Sequence, residues 1–130
     1  MESRYLYRGK RIDNGKWVEG YLSYPFCTEK GNESYYFYAK DSLGFFCRCV
    51  VDASTICQCT GLKDKNGRLI WENDIVKCGN TTAVIWDEHF ASWCLTKKRW
   101  MFHHFFGESQ SPEDCEVIGN TFDNPELLEV

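Results

Sequence analysis

Cysteine and histidine are the residues of this chain best suited to chemistry, with eight of the first and three of the second. Four cysteines fall in two pairs of identical spacing, Cys47-Arg48-Cys49 and Cys57-Gln58-Cys59. Residues two apart on a strand project from the same side. Two such strands in register would gather Cys47, Cys49, Cys57 and Cys59, and four thiolates bind zinc tetrahedrally. The spacing departs from the Cys-x-x-Cys knuckle, whose tight turn aims both sulfurs at one metal. Cysteine is also a small apolar residue that packs well in strands. Buried, reduced thiols therefore account for the pairs more simply than a metal centre, and no cofactor is expected.

The histidines point to catalysis no more strongly. His103-His104, with His89 nearby, is the one histidine cluster of the sequence. Adjacent histidines project in different directions on a helix or a strand and make a poor ligand pair. Cys94 with His103 would make a nucleophile–base pair, but a chain with this many cysteines offers such pairs by composition alone. Glu72, Asp74, Asp87 and Glu88 sit near expected strand ends. Paired carboxylates serve acid–base work or hold a hard cation. Turn chemistry explains them with less: Asp74 is expected to accept from local backbone N–H groups. The sequence contains no Gly-rich phosphate loop and no nucleophile elbow. The expectation is a protein that is not an enzyme.

One basic run stands out, Lys97-Lys98-Arg99-Trp100, followed by further aromatics. Cations beside aromatic rings suit single-stranded nucleic acid, through phosphate attraction and base stacking. The formal net charge of −4 and a pI near 5.4 weigh against general nucleic-acid binding, so a solvated basic turn is expected here. Aromatics make up 16% of the chain, more than a small core needs. The runs Tyr35–Tyr38 and Trp93–Phe106 carry much of this weight. Part of it is expected to form an exposed patch that closes against a partner protein or a second copy of the chain.

The elements that must position these residues are short strands. The 130 residues suit one domain. Arg4–Arg8 and Lys16–Leu22 flank the turn signal Asn14-Gly15 and read as a hairpin ending near Pro25. Tyr35–Tyr38 and Phe45–Val51 read as strands, followed by Thr55–Cys59. A second Asn-Gly turn, Asn66-Gly67, precedes Asp74–Cys78 and Thr82–Trp86, a hairpin about Gly79-Asn80 to which Ser92–Thr96 adds. Lys98–Phe106 fits neither strand nor helix period. Cys115–Ile118 reads as the last strand, and Asn124-Pro125 as the capped start of a helical turn. Strands at this spacing predict a small barrel or roll. No apolar run reaches the length of a membrane span. The N-terminus, Met1-Glu2-Ser3-Arg4-Tyr5, lacks an apolar signal core, so the cytoplasm is expected, with all eight cysteines reduced.

Three segments carry a family resemblance. They are Arg8-Gly9-Lys10 with Gly15–Gly20; Thr55–Gly67 running on through Ile70, Glu72, Asp74, Ile75 and Val76; and Val117–Asn120 with Asn124–Leu128. Together they make the chain similar to the YopX family of phage and prophage proteins. Cys59 departs from the pattern, because members often carry an aromatic there. The resemblance implies a mainly β protein with an SH3-like barrel. It divides the single domain into an N-terminal β region, 1–54, and a barrel region, 55–130. It implies no catalytic or ligand-binding residue. The leading expectation is a phage-derived accessory protein that binds an unknown protein partner, with homo-oligomerisation as one form of that contact. The alternative is a nucleic-acid-binding module acting through Lys97, Lys98, Arg99 and Trp100.

Overall fold

Turns built by polar side chains and glycine set the order of strands. In the first, the Asn14 side chain accepts from the Lys16 N–H at 2.9 Å, while Gly15 takes φ +69° and donates to the Arg11 carbonyl. This turn reverses β1 (Tyr7–Lys10) into β2 (Trp17–Pro25). The computed structural model describes residues 5–25, 34–40, 43, 45–96, 104–106 and 110–128. It divides into two units, Met1–Cys59 and Thr60–Val130. The protein is mainly β, with two antiparallel sheets and, among the described residues, only short 3-10 turns of helix.

In the first unit β3 (Ser34–Lys40) and β4 (Phe46–Asp52) follow the hairpin, and the hydrogen-bonded order is β4-β3-β2-β1-β5. β5 spans Cys57–Lys63 and crosses the unit boundary. A single bridge, Arg11 to Val51, brings the end of β1 against β4, and the Ile12 N–H donates to the Val50 carbonyl at 3.1 Å. The sheet therefore curls around an inner face holding Phe37, Ala39, Cys49 and Val51, all buried. Small residues permit this curl. A Cβ on Gly20 would overlap the Tyr38 carbonyl of β3, so only glycine lets the two strands approach. A 3-10 turn at Ala53–Thr55 leads into β5. It is capped by Asp52, whose carboxylate accepts from the Ser54 N–H at 3.0 Å.

In the second unit the Asn66-Gly67 turn reverses β5 into β6 (Leu69–Trp71), with Gly67 at φ +78°. The remaining strands are β7 (Asp74–Cys78), β8 (Asn80–Asp87), β9 (Ser92–Thr96), β10 (His104–Phe105) and β11 (Glu116–Asn120). They form a five-stranded sheet of order β10-β9-β8-β7-β11. Alternate residues of neighbouring strands meet in one core: Ile70, Val76, Val84, Leu95, Phe106, Cys115 and Val117.

Asp64 ties the turn to the far strand. Its Oδ1 accepts from the Asn66 and Arg68 N–H groups at 2.9 Å each, and its Oδ2 accepts from the Val117 N–H of β11 at 3.0 Å. Burial pushes this carboxyl up, but the N–H groups of Val117, Arg68 and Asn66 outweigh it, and the net direction is down. The expected helical turn near the C-terminus is a 3-10 turn, Pro125–Leu128. Asn124 stands just before it, its carbonyl accepting from the Leu127 N–H at 3.1 Å, and its amide oxygen accepts from the Asn120 N–H at 3.3 Å, closing the loop onto β11.

Candidate functional site

Strand register gathers a set of cations and aromatics on the outer side of the first unit's sheet. On the β1–β2 pair Arg8 lies opposite Glu19 and Lys10 opposite Trp17. On β2–β3 Tyr21 lies opposite Tyr38, and on β3–β4 Tyr38 lies opposite Arg48. Because alternate residues of a strand share a side, Tyr36 joins this row. The inner positions between them belong to the core.

Two cation–aromatic stacks define the face. The Arg8 guanidinium lies 4.8 Å and the Lys10 ammonium 5.3 Å from the centre of the Trp17 ring. The Arg48 guanidinium lies 4.7 Å from the centre of the Tyr36 ring. Each such contact is worth about 0.5–1 kcal/mol at an exposed site. Arg8 is buried and anchors the first stack, whereas Arg48 is exposed and Tyr38 offers 43% of its surface to solvent. Trp17, Tyr21 and Tyr36 are half-buried.

Charge is divided unevenly along the chain. The first unit carries eight Lys and Arg against seven Asp and Glu, a net of +1. The second carries seven against twelve, a net of −5. The acidity of the whole chain is therefore confined to residues 60–130. At the curled end of the first sheet, Arg11 donates to both carboxylate oxygens of Asp13, at 3.0 and 2.7 Å. The Asp13 hydrogen bond and the nearby Cys49 thiol hold Arg11 above its ordinary pKa, and the same bond holds Asp13 below its own. Both groups are well exposed, so the pair adds little to stability.

The cysteine pairs are not assembled into a metal site. β3, β2 and β1 intervene between β4 and β5 in the sheet, so the two strands expected to meet in register are not neighbours. Cys47 and Cys49 share one side of β4 with their sulfurs 3.7 Å apart, and burial followed by the Cys47 contact pushes the Cys49 thiol up. Cys57 and Cys59 are buried on β5, and Cys57 donates to the Thr55 carbonyl at 3.3 Å. Among the described residues, no three Cys, His, Asp or Glu side chains converge as a metal site would require.

Two further cysteines depart from the expectation of eight free thiols. Cys78 and Cys115 form a disulfide with Cα atoms 4.5 Å apart, because β7 and β11 pair directly at Lys77 and Glu116 beside them. Spacing in sequence, 37 residues, gives no hint of this contact.

The other sequence candidates are placed as follows. Lys97, Lys98, Arg99, Trp100 and His103 lie outside the described residues. His104 contributes backbone to β10. His89 meets Phe90 edge to face at 4.7 Å in the β8–β9 turn. Burial, with a contribution from Asp87, pushes the Cys94 thiol up, which disfavours the thiolate a nucleophile needs. Asp74 is buried and accepts from the Trp71 N–H at 2.8 Å, while Asp87 accepts from the His89 and Phe90 N–H groups. Both carboxylates hold turns.

The outer face of the first sheet escaped the sequence reading. Its signal is the alternation Arg8-x-Lys10, Trp17-x-Glu19-x-Tyr21 and Tyr36-x-Tyr38, which becomes one surface only when the strand register is known.

The chain has a clear structural relative. It is similar to the crystal structure of protein EF1440 from Enterococcus faecalis, with a TM-score of 0.54 and 21% identity, over 94% of this chain and 96% of that one. At that identity the likeness speaks to the fold. No curated protein shows significant similarity to the sequence. The YopX protein family matches residues 6–129, nearly the whole length, and the chain belongs to that family.

Proposed function

We propose that this protein is a non-enzymatic binding module, a phage- or prophage-type accessory protein working in the cytoplasm, whose working surface is the outer face of the first sheet. The family match supports the phage-type origin. The carrying observation is the pair of cation–aromatic stacks, Arg8 and Lys10 on Trp17 and Arg48 on Tyr36, on one sheet face. Rings stacked under cations present a flat, polarised platform, and the exposed cation Arg48 favours an anionic partner. We also place the second unit among SH3-like rolls, a comparison supported by its short antiparallel strands and tight turns.

Heparin chromatography tests the reading. The folded protein is expected to be retained at low salt despite its net negative charge. Arg48→Ala and Lys10→Ala should each elute at lower salt. Passage of the wild-type protein through the column, or elution unchanged in both variants, would overturn it.

Protein contact, the leading expectation from sequence, has its own supporting observation in the second unit. Trp86 packs edge to face on Trp93 at 5.1 Å yet stays 42% exposed, and Phe90 at the hairpin tip is 59% exposed. An aromatic tip of this kind suits self-association or a protein partner. Light scattering at high concentration checks it: a dimer lost in Trp86→Ala is expected, and a strict monomer counts against it.

A further inference from the structure

We infer that the anionic partner of the first sheet is single-stranded nucleic acid, with bases stacked on its aromatics and phosphates drawn to Lys10 and Arg48. This rests on the reading of that face as the working surface.

The first reason is the spacing of the rings. Tyr36 and Tyr38 are two residues apart on β3, which sets their Cα atoms roughly 7 Å apart along the strand. Tyr21 lies across from Tyr38 on the neighbouring strand, about 5 Å away by backbone. Trp17 continues the row along β2. Flat π-surfaces distributed over adjacent strands match successive bases that are splayed out and stacked one by one, as in other sheet surfaces that take single strands.

The second reason is where the charge lies. Arg48 stacks on Tyr36 with its guanidinium exposed, so its plane can itself receive a base while its N–H groups meet a phosphate. Lys10 sits beside Trp17 in the same relation. Glu19 and Asp52 are the acidic residues among the described outer positions of β1 to β4, and the Asp52 carboxylate is taken up in capping the 3-10 turn that follows β4.

The third reason excludes the duplex. Duplex binding without base reading depends on many phosphate contacts, and among the described side chains of this face the cations that are not buried are Lys10 and Arg48. A duplex also keeps its bases stacked on one another, leaving the rings unused. An acidic peptide would satisfy the cations but not the stacking surfaces, so it is an outcome of the test rather than the expected partner.

Fluorescence anisotropy with labelled oligonucleotides decides the matter, using single-stranded DNA, single-stranded RNA and duplex DNA against the whole chain. Both single strands are expected to bind more tightly than the duplex. A preference for RNA would place the 2′-hydroxyl in the contact, and equal binding would place it outside; either supports the proposal. The slope of log K against log salt should be about −1.4 for two phosphate contacts to a single strand, falling to about −0.7 in Arg48→Ala. Tyr38→Leu, which keeps bulk but removes the ring, should weaken binding about 5- to 150-fold. Lys77→Ala, at an exposed position of β7 in the second unit, should leave it unchanged. Circular dichroism establishes that each variant is folded. Ultraviolet cross-linking of the wild-type protein provides a check free of substitutions, with adducts expected at Trp17, Tyr36 or Tyr38.

Failure to bind either single strand at low salt overturns the inference. So does equal affinity for duplex, an unchanged affinity in Tyr38→Leu, or adducts confined to the second unit. Binding of an acidic peptide but of no oligonucleotide also overturns it. If oligonucleotides fail while heparin retention still depends on Arg48, the nucleic-acid inference falls and the anionic reading stands. If both fail, both fall.

Discussion

Replacing Asp64 removes three hydrogen bonds at once, and their environments differ. The Asn66 and Arg68 N–H groups belong to exposed turn residues, so water can replace the carboxylate there at a cost of about 1 kcal/mol each. The Val117 N–H lies in a buried bond that joins the turn to β11. Left without an acceptor, it costs about 1–3 kcal/mol. Asp64→Ala should therefore destabilise the protein by roughly 3–5 kcal/mol. Asp64→Asn retains one acceptor oxygen, which can serve the turn, but sets its NH2 group against the Val117 N–H. Its expected cost is the buried part alone, about 1–3 kcal/mol. Urea unfolding of both variants measures the two values. A pH series adds a sign test. The folded Asp64 pKa is lowered, so its contribution is present in full above the unfolded carboxylate range near 4 and is lost as pH falls through the lower folded value. The gap between wild type and Asp64→Asn should hold from pH 7 to about 5 and narrow below about 4. Equal stability of Asp64→Asn and wild type at pH 7, or a gap that widens on acidification, would refute the reasoning.

The disulfide offers a second test. Closing a loop of 37 residues between Cys78 and Cys115 contributes about 4 kcal/mol by loop-closure entropy. Cys115→Ser, or reduction with dithiothreitol, should lower the urea midpoint accordingly, and intact-mass spectrometry without reductant should find the oxidised form lighter by two hydrogens. Gly20→Ala drives a methyl into the Tyr38 carbonyl and should cost about 1–3 kcal/mol, read as a lowered thermal midpoint with β2 and β3 the elements displaced. Alkylation of the folded protein should modify half-buried Cys47 before Cys49, Cys57, Cys59 and Cys94, which are buried, with peptide mapping as the readout.

Much of the fold was legible because its signals are local. Asn14-Gly15 and Asn66-Gly67 announce turns that form with glycine at positive φ, and the strands on either side of them are β1 and β2, and β5 and β6. Asp74 read as a turn residue because its partner, the Trp71 N–H, is three positions away. The contact of the Asn124 amide oxygen with the Asn120 N–H was not legible, because it forms only when the loop after β11 closes. The cysteine quartet failed at the level of strand order. Each pair does share a side of its strand, but three strands stand between them.

The residue types and their spacing, taken alone, determined the family, the mainly β character and the places where the chain turns. Those properties depend on contacts within a few residues, which backbone sterics and side-chain reach dictate directly. Tertiary structure decided which strands are neighbours. That choice separates Cys47 and Cys49 from Cys57 and Cys59, joins Cys78 to Cys115, and sets Arg48 over Tyr36 and Lys10 over Trp17. Pairing across a sheet rests on burial and register summed over whole strands, and no single local pattern carries that sum.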